Sequence, residues 1–117
     1  MALLLKGFTD HMINTGEVEI GYSVGPDNGP TLLLLHGATS RRDSFFRVTD
    51  SLTPNFRVIA MDQRGHGYSG HTPGHYLRED HARDIEFILK NVCKEPSIVW
   101  GHSMGGGNAI ETIGRCS

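Results

Sequence analysis

The sequence predicts an α/β domain with a mainly parallel sheet, flanking helices and an antiparallel N-terminal hairpin. Beyond residue 30, short apolar segments alternate with segments of helical periodicity, which is typical of strands joined by crossover helices. Two of these apolar segments are uninterrupted, as expected for strands covered on both faces. The first two apolar segments of the chain are separated only by Thr15-Gly16-Glu17, which favours a hairpin that extends the sheet.

Five segments are predicted strands. Two form the opening hairpin, and three are the strands of the parallel part of the sheet. The second hairpin strand alternates apolar and polar residues, which predicts one buried face. Residues 25–30, rich in Gly, Pro, Asn and Asp, form the turn between the hairpin and the first parallel strand. The predicted strands are residues 8–14, 18–24, 31–35, 57–62 and 97–101.

Three helices are predicted between and after the parallel strands. The first follows three N-cap candidates and ends before Pro54. The second has apolar residues at helical spacing over residues 82–92 and is broken at Pro96. The third begins after a sharp turn over residues 102–107. The N-cap candidates of the first helix are Thr39, Ser40 and Asp43.

The composition is that of an ordinary folded chain and excludes several classes of function. There are 11 basic and 13 acidic side chains, a net charge of −2, so no basic excess exists to bind nucleic-acid phosphates. The 2 cysteines cannot form a disulfide scaffold. The apolar start, residues 1–5, is too short for a signal-peptide core or a membrane span. We therefore expect a cytoplasmic protein with neither a nucleic-acid nor a membrane partner.

The strongest functional signal is Gly101-His102-Ser103-Met104-Gly105, a G-x-S-x-G pattern between a predicted strand and a predicted helix. A serine on such a tight turn projects from the sheet, and the crowded backbone requires small neighbours. The helix that starts after Ser103 points its free N–H groups at the reacting centre. We predict Ser103 as the nucleophile, the Met104 N–H as one oxyanion donor, and His102 as a residue that shapes the loop. The alternative is a glycine-rich turn with an incidental serine.

A second signal, His36-Gly37-Ala38, follows the first parallel strand. Because the carboxyl ends of parallel strands lie at one edge of a sheet, this segment is expected close to Ser103. The N–H of Ala38 is predicted as the second oxyanion donor. His36 is a candidate general base, but we favour a structural role in which His36 and Gly37 shape the loop.

A third segment, residues 62–70, contains a formal G-x-G-x-x-G pattern. A dinucleotide site needs a helix directly after this pattern and an acidic residue at the end of a later strand. Here turn-forming residues continue to Gly74, and Asp84 and Glu86 fall inside a predicted helix. Dinucleotide binding is therefore disfavoured, and no cofactor is predicted.

The 7 histidines of the chain raise the question of a metal site. His71 and His75 are four residues apart, but Pro73 and Gly74 between them prevent a helical face. The chain has no C-x-x-C or H-E-x-x-H pattern. We predict no metal site and exposed positions for these two loop histidines.

Trp100 and the pair Arg41-Arg42 are assigned structural roles. Trp100 precedes the G-x-S-x-G segment on a strand predicted to be buried, so we predict a core residue and not a substrate wall. Arg41-Arg42 lies at the start of a predicted helix, and we predict that both side chains are solvated.

The segments HGATS, DQRGHGYSG and GHSMGG, in this order and spacing, resemble the N-terminal half of the α/β-hydrolase family. The resemblance runs from about the opening hairpin to the last residue, so residues 1–117 are expected to be the N-terminal portion of a single domain with the α/β-hydrolase fold. It implies Ser103 as nucleophile, the amides of Ala38 and Met104 as oxyanion hole, and Asp62 and Arg64 as loop-building residues. A serine at the nucleophile position resembles the esterase, lipase, lactonase, thioesterase and peptidase members. Family members that open epoxides or remove halides carry an aspartate there.

The resemblance also implies a catalytic acid and then a histidine after the nucleophile. After Ser103 the chain has one acid, Glu111, and no histidine, so the acid and base are expected outside it. The expected function is hydrolysis of a small ester, lactone, thioester or amide through Ser103, with the 117-residue chain inactive or nearly so by itself. The alternative is a truncated protein without catalytic activity that binds a partner or has no function. The oligomeric state is left open.

Overall fold

The computed structural model describes residues 5–116, so residues 1–4 of the apolar start and Ser117 lie outside the described part. Its five strands form one mixed sheet with the order β1-β2-β4-β3-β5. In the parallel part, β3 pairs with β4 on one side and with β5 on the other. The hairpin of β1 and β2 continues the sheet through an antiparallel pairing of β2 with β4. The strands are β1 Thr9–Asn14, β2 Glu19–Val24, β3 Thr31–Leu35, β4 Arg57–Met61 and β5 Ile98–Gly101. The predicted fold class is therefore confirmed.

Three helices flank this sheet: α1 Phe46–Leu52, α2 Arg78–Ile88 and α3 Met104–Cys116. A 3-10 turn, Arg42–Phe45, leads into α1, and a π-helical turn, Leu89–Cys93, continues α2. Lys94 then ends this segment in the left-handed conformation, with φ of 62°. Within the described residues, no helix has the length and apolar character needed to cross a membrane.

Two predictions about helix starts are wrong. None of the N-cap candidates Thr39, Ser40 and Asp43 caps a helix; the Arg42 N–H at the start of the 3-10 turn instead donates to Asp62 Oδ1 at 2.7 Å. The cap thus comes from a loop that is distant in sequence, which local patterns do not reveal. The predicted turn over residues 102–107 is also too long: α3 already begins at Met104, directly after Ser103, as the G-x-S-x-G pattern by itself predicts.

The core lies on both faces of the sheet. Successive residues of a strand point to opposite faces, so Leu33 and Leu35 pack towards α2 and α3 while Leu32 and Leu34 pack towards α1. All five residues of β3 are buried. Burial on both faces explains why β3 is an uninterrupted apolar run and not an alternating one.

The hairpin strand β2 departs from the prediction of one buried face, because Gly21 and Ser23 on its other face are also buried. The side chain of Arg42 covers them: its Nε donates to Ser23 Oγ at 2.8 Å, and its Nη1 donates to Asp62 Oδ2 at 2.7 Å. A Cβ on Gly21 would lie 2.5 Å from Arg42 Nη1, so a side chain there would displace the guanidinium. The prediction that Arg42 is solvated is therefore wrong, since this side chain is 1% exposed. Arg41 remains exposed and pairs with Asp43.

The prediction that Trp100 is a core residue is also wrong. β5 is the last strand of the described sheet, and Trp100 pairs with Leu34, whose face of the sheet packs towards α1. Trp100 is 43% exposed, and its ring lies 5.7 Å from that of Phe45. Trp100 thus forms part of the wall of a pocket beside the carboxyl end of the sheet.

Candidate functional site

Ser103 occupies the connection between β5 and α3, at the carboxyl end of the parallel strands. Its backbone is left-handed, with φ of 56°, a conformation that costs energy for any residue with a side chain. The residue is exposed, and α3 begins directly after it. The serine therefore projects from the sheet edge next to a helix N-terminus, as the sequence pattern predicts.

Glycines make this strand-to-helix turn possible. A Cβ on Gly101 would lie 2.4 Å from the carbonyl carbon of Gly105, and a Cβ on Gly105 would lie 2.4 Å from the carbonyl oxygen of Leu35. No side chain fits at such separations. The backbone of the first turn of α3 thus packs directly against the backbone of β3 and β5. This packing holds Ser103 in its strained conformation.

The loop after β3 lies against Ser103, as expected from the shared sheet edge. A Cβ on Gly37 would lie 3.4 Å from the Cβ of Ser103 and 3.0 Å from Nδ1 of His102. Within the described residues, neither the Ala38 N–H nor the Met104 N–H donates a hydrogen bond to another residue. Free N–H groups at these two positions are what the prediction of two oxyanion donors requires.

His36 is fully buried, and both of its ring nitrogens are occupied. Nε2 accepts a hydrogen bond from the Gln63 N–H at 2.9 Å, so Nδ1 carries the proton and donates to the carbonyl oxygen of Gly37 at 2.7 Å. Burial lowers the pKa of His36, and the nearby His66 lowers it further. A neutral histidine with both nitrogens engaged cannot take a proton from Ser103, which supports the structural role and not that of general base.

An apolar pocket of about 450 Å³ adjoins Ser103. Phe45, Val48 and Trp100 supply its apolar wall, while Arg47 supplies a cationic group. Sequence reasoning did not identify Phe45 or Trp100 as wall residues. The available signal was the position of Trp100, which lies on the short strand β5 three residues before Ser103.

Asp62 and Arg64 organise the loop that follows β4. Asp62 is fully buried, and its carboxylate accepts the Tyr68 N–H at 3.0 Å in addition to the two bonds from Arg42. Arg64 forms two bonds of 2.7 Å to the carboxylate of Asp84 on α2. These contacts agree with the loop-building roles that the family resemblance implies.

The G-x-G-x-x-G pattern in this loop has no dinucleotide geometry. The loop folds back around Asp62, whose carboxylate occupies the space that a Cβ on Gly67 would need. The next helix, α2, begins only at Arg78, and the Asp84 carboxylate is already bound by Arg64. A phosphate would therefore find no helix N-terminus here.

The histidine pair that raised the question of a metal does not line the pocket beside Ser103. His71 and His75 are exposed in the loop before α2. Among the side chains that the structure describes, over residues 5–115, no three of His, Cys, Asp or Glu are grouped so that they could hold a metal ion.

One buried residue of the site was missed by sequence reasoning. Gln63 lies between Asp62 and Arg64 and is 1% exposed. Its side chain contacts both the loop that carries Ala38 and the helix that follows Ser103. Only its place inside the DQRGHGYSG segment, directly after a buried strand, could have drawn attention to it.

Comparison with known proteins places this fold and site in a family. The sequence profile of the alpha/beta hydrolase fold family matches residues 30–112. The chain is 36% identical over 88 residues to 2-(acetamidomethylene)succinate hydrolase of Mesorhizobium japonicum, which covers 75% of the chain and 32% of that protein. It is 31% identical over 108 residues to a fluoroacetate dehalogenase of a Burkholderia species, which covers 88% of the chain and 35% of that protein.

A solved structure agrees with these sequence matches. The structure of E-2-(acetamidomethylene)succinate hydrolase superimposes with a TM-score of 0.85 at 30% identity, over 92% of this chain and 40% of that one. The chain thus spans about a third of the length of the curated relatives that it matches. The strands, the left-handed Ser103 turn and the profile match lead to one conclusion: the chain belongs to the α/β-hydrolase fold family.

Proposed function

We propose that the protein is a serine hydrolase that transfers acyl groups to water, with Ser103 as its nucleophile. The observation that carries this proposal is the position of Ser103. It is exposed in a left-handed strand-to-helix turn, beside two available N–H groups and an apolar pocket. The family supports hydrolysis in general, and the serine itself supports acyl transfer, because an alcohol oxygen forms an acyl ester that water can cleave.

The reaction would proceed in two steps. Ser103 Oγ attacks a carbonyl carbon while a base removes its proton, and the carbonyl oxygen becomes an oxyanion. The N–H groups of Ala38 and Met104 would stabilise this oxyanion, each by about 3 kcal/mol, as is typical of such donors. The tetrahedral intermediate expels the protonated alcohol, thiol or amine, and a water molecule then hydrolyses the acyl-serine by the reverse sequence.

The proton acceptor is proposed to lie outside the 117 residues. The nitrogens of His36 are bound by Gln63 and Gly37, so they cannot accept the Ser103 proton. Within the family resemblance, acid and histidine follow the nucleophile, and residues 1–117 are proposed to be the N-terminal portion of a single hydrolase domain. A cytoplasmic location remains part of the same proposal.

The pocket indicates a small substrate with an apolar acyl group. A volume of about 450 Å³ lies within the range of small-molecule sites, and Phe45, Val48 and Trp100 offer apolar contact next to Ser103. The relative that is named a 2-(acetamidomethylene)succinate hydrolase makes an amide substrate as reasonable as an ester or thioester. No cofactor is required for this chemistry.

The test is the substitution Ser103→Ala in the whole protein as its gene encodes it, with p-nitrophenyl acetate as substrate. Loss of the nucleophile should lower kcat/KM at least about a thousandfold. Ser51→Ala, which removes an exposed hydroxyl on α1, is the matched control and should leave kcat/KM unchanged. A Ser103→Ala variant with near-normal kcat/KM would overturn the proposal.

A further inference from the structure

Gln63 connects the two halves of the proposed oxyanion hole. Its side-chain Nε2 donates to the carbonyl oxygen of His36 at 2.7 Å. Its side-chain Oε1 accepts from Nδ2 of Asn108 at 2.7 Å, and Asn108 belongs to α3, the helix that starts with Met104. Gln63 and Asn108 are each 1% exposed, so water does not compete for these bonds.

The hydrogen-bonding groups fix the orientation of both amides. The His36 carbonyl can only accept, so the NH₂ group of Gln63 must face it and the Gln63 oxygen must face Asn108. That oxygen in turn requires the NH₂ group of Asn108. An apolar residue at position 63 would break both bonds, and an ionised carboxylate would oppose the His36 carbonyl.

The contacts of Gln63 reach the Ala38 N–H through His36, because the Gln63 side chain holds the His36 carbonyl while the Gln63 backbone holds the His36 ring. The Gln63 backbone N–H holds His36 Nε2, so the ring donates from Nδ1 to the Gly37 carbonyl. The Gly37 carbonyl and the Ala38 N–H belong to the same planar peptide and point in opposite directions. Fixing the carbonyl therefore fixes the direction of the N–H that is proposed to bind the oxyanion.

From this geometry we infer that Gln63, with Asn108, is a positioning residue. It fixes the position of the Ala38 N–H relative to the start of α3, on the two sides of Ser103. This inference rests on the proposed function for its catalytic consequence. The two donors belong to segments far apart in sequence, and the Gln63 side chain bonds to one residue of each segment, His36 and Asn108. Its effect is expected in the transition state, where the oxyanion exists, and not in substrate binding.

The experiment measures kcat and KM for p-nitrophenyl acetate in the whole protein and in the Gln63→Leu variant. Gln63→Leu should lower kcat about 10- to 100-fold, as expected when a donor is misplaced, while KM stays within about twofold. Ile88→Val, which changes a buried core residue of α2 that does not line the Ser103 pocket, is the matched control for lost stability and should keep kcat. If Gln63→Leu does not fold, Asn108→Ala, which breaks only the bond to α3, should show a smaller loss of kcat.

A second readout does not depend on catalysis. In ¹⁵N-labelled protein, the variant used for kinetics should shift or broaden the amide signal of Ala38, and Ile88→Val should not. An unchanged kcat in an active protein, or an unchanged Ala38 signal, overturns the inference. If Ser103→Ala retains hydrolysis, the proposed function fails by itself, and the Ala38 signal still decides whether Gln63 positions this loop.

Discussion

At the scale of single residues, the Ser103 turn combines strain with close packing. A left-handed residue with a side chain costs about 1–2 kcal/mol, so Ser103 would not adopt this conformation in isolation. The backbone contacts at Gly101 and Gly105 hold it there, because they join α3 to β3 and β5 without intervening side chains. The glycines around Ser103 are therefore part of what exposes its hydroxyl.

Gly105→Ala should destabilise the protein by about 1–3 kcal/mol. Its new Cβ would lie 2.4 Å from the Leu35 carbonyl oxygen, and backbone atoms cannot move aside easily. Gly114→Ala is the matched control within α3: its Cβ would meet nothing within 4 Å, and alanine favours a helix by up to about 1 kcal/mol. Urea unfolding measures the free energy of unfolding of both variants. Equal free energies of unfolding for the two would contradict the packing argument.

Ser103, Arg42 and Gln63 differ in how far the sequence could predict their roles. Ser103 was predictable because a local pattern, G-x-S-x-G between a strand and a helix, requires its geometry. Arg42 was not, because its partners are Ser23 on β2 and Asp62 just after β4, which are distant in sequence, and no local pattern links them. Gln63 was missed for the same reason, since its contacts join three separate segments.

At the scale of elements, α2 carries a buried histidine that makes stability depend on pH. His81 is 4% exposed, and its pKa is lowered to about 4, first by burial and then by the guanidinium of Arg64. The folded state therefore keeps His81 neutral, whereas the unfolded chain binds a proton near pH 6.5. The stability that this group contributes is present above pH 6.5 and is lost as the pH falls towards 4.

His81→Leu should reduce the loss of stability between pH 6.5 and pH 4. The difference of about 2.5 pKa units corresponds to at most about 3 kcal/mol. Part of the loss should remain, because the buried His36 also has a lowered pKa. Urea unfolding at a series of pH values measures this, with His71→Leu as a control that removes an exposed loop histidine. If the free energy of unfolding of His81→Leu changes with pH as steeply as that of the unsubstituted protein, His81 does not titrate in this range.

Strands were easier to predict than helix ends. The strands β3 and β4 follow from uninterrupted apolar runs, and the structure places them within one residue of the predicted ends. The start of the 3-10 turn that leads into α1 depends on Asp62, and the start of α3 depends on glycines that pack against the sheet. A run of glycines in a sequence predicts a turn. Here residues 105–107 belong to α3, because the helix packs closely against the sheet at this point.

At the scale of the whole molecule, the two edges of the sheet differ in character. The β1 edge is mostly polar, although Met12 is exposed on it. Beside the β5 edge, Ile98 and Trp100 are exposed on the sheet, and Ile110 and Ile113 are exposed on the adjacent helix α3. The pairing order was not derivable from the strand patterns, and it is this order that leaves β5 at an edge of the described sheet.

The 117-residue chain, produced by itself, should associate through the β5 edge. An apolar strand with unpaired backbone groups is a template for pairing with another chain, and the exposed isoleucines enlarge the apolar surface. In sedimentation velocity, the average mass of the chain should rise with concentration. At a given concentration, Ile98→Lys should lower this average mass, because a charge opposes edge pairing. Met12→Lys, at the β1 edge and 48% exposed, is the matched control and should have little effect. A chain that stays monomeric at every concentration, or equal effects of the two lysines, would show that the β5 edge does not drive association.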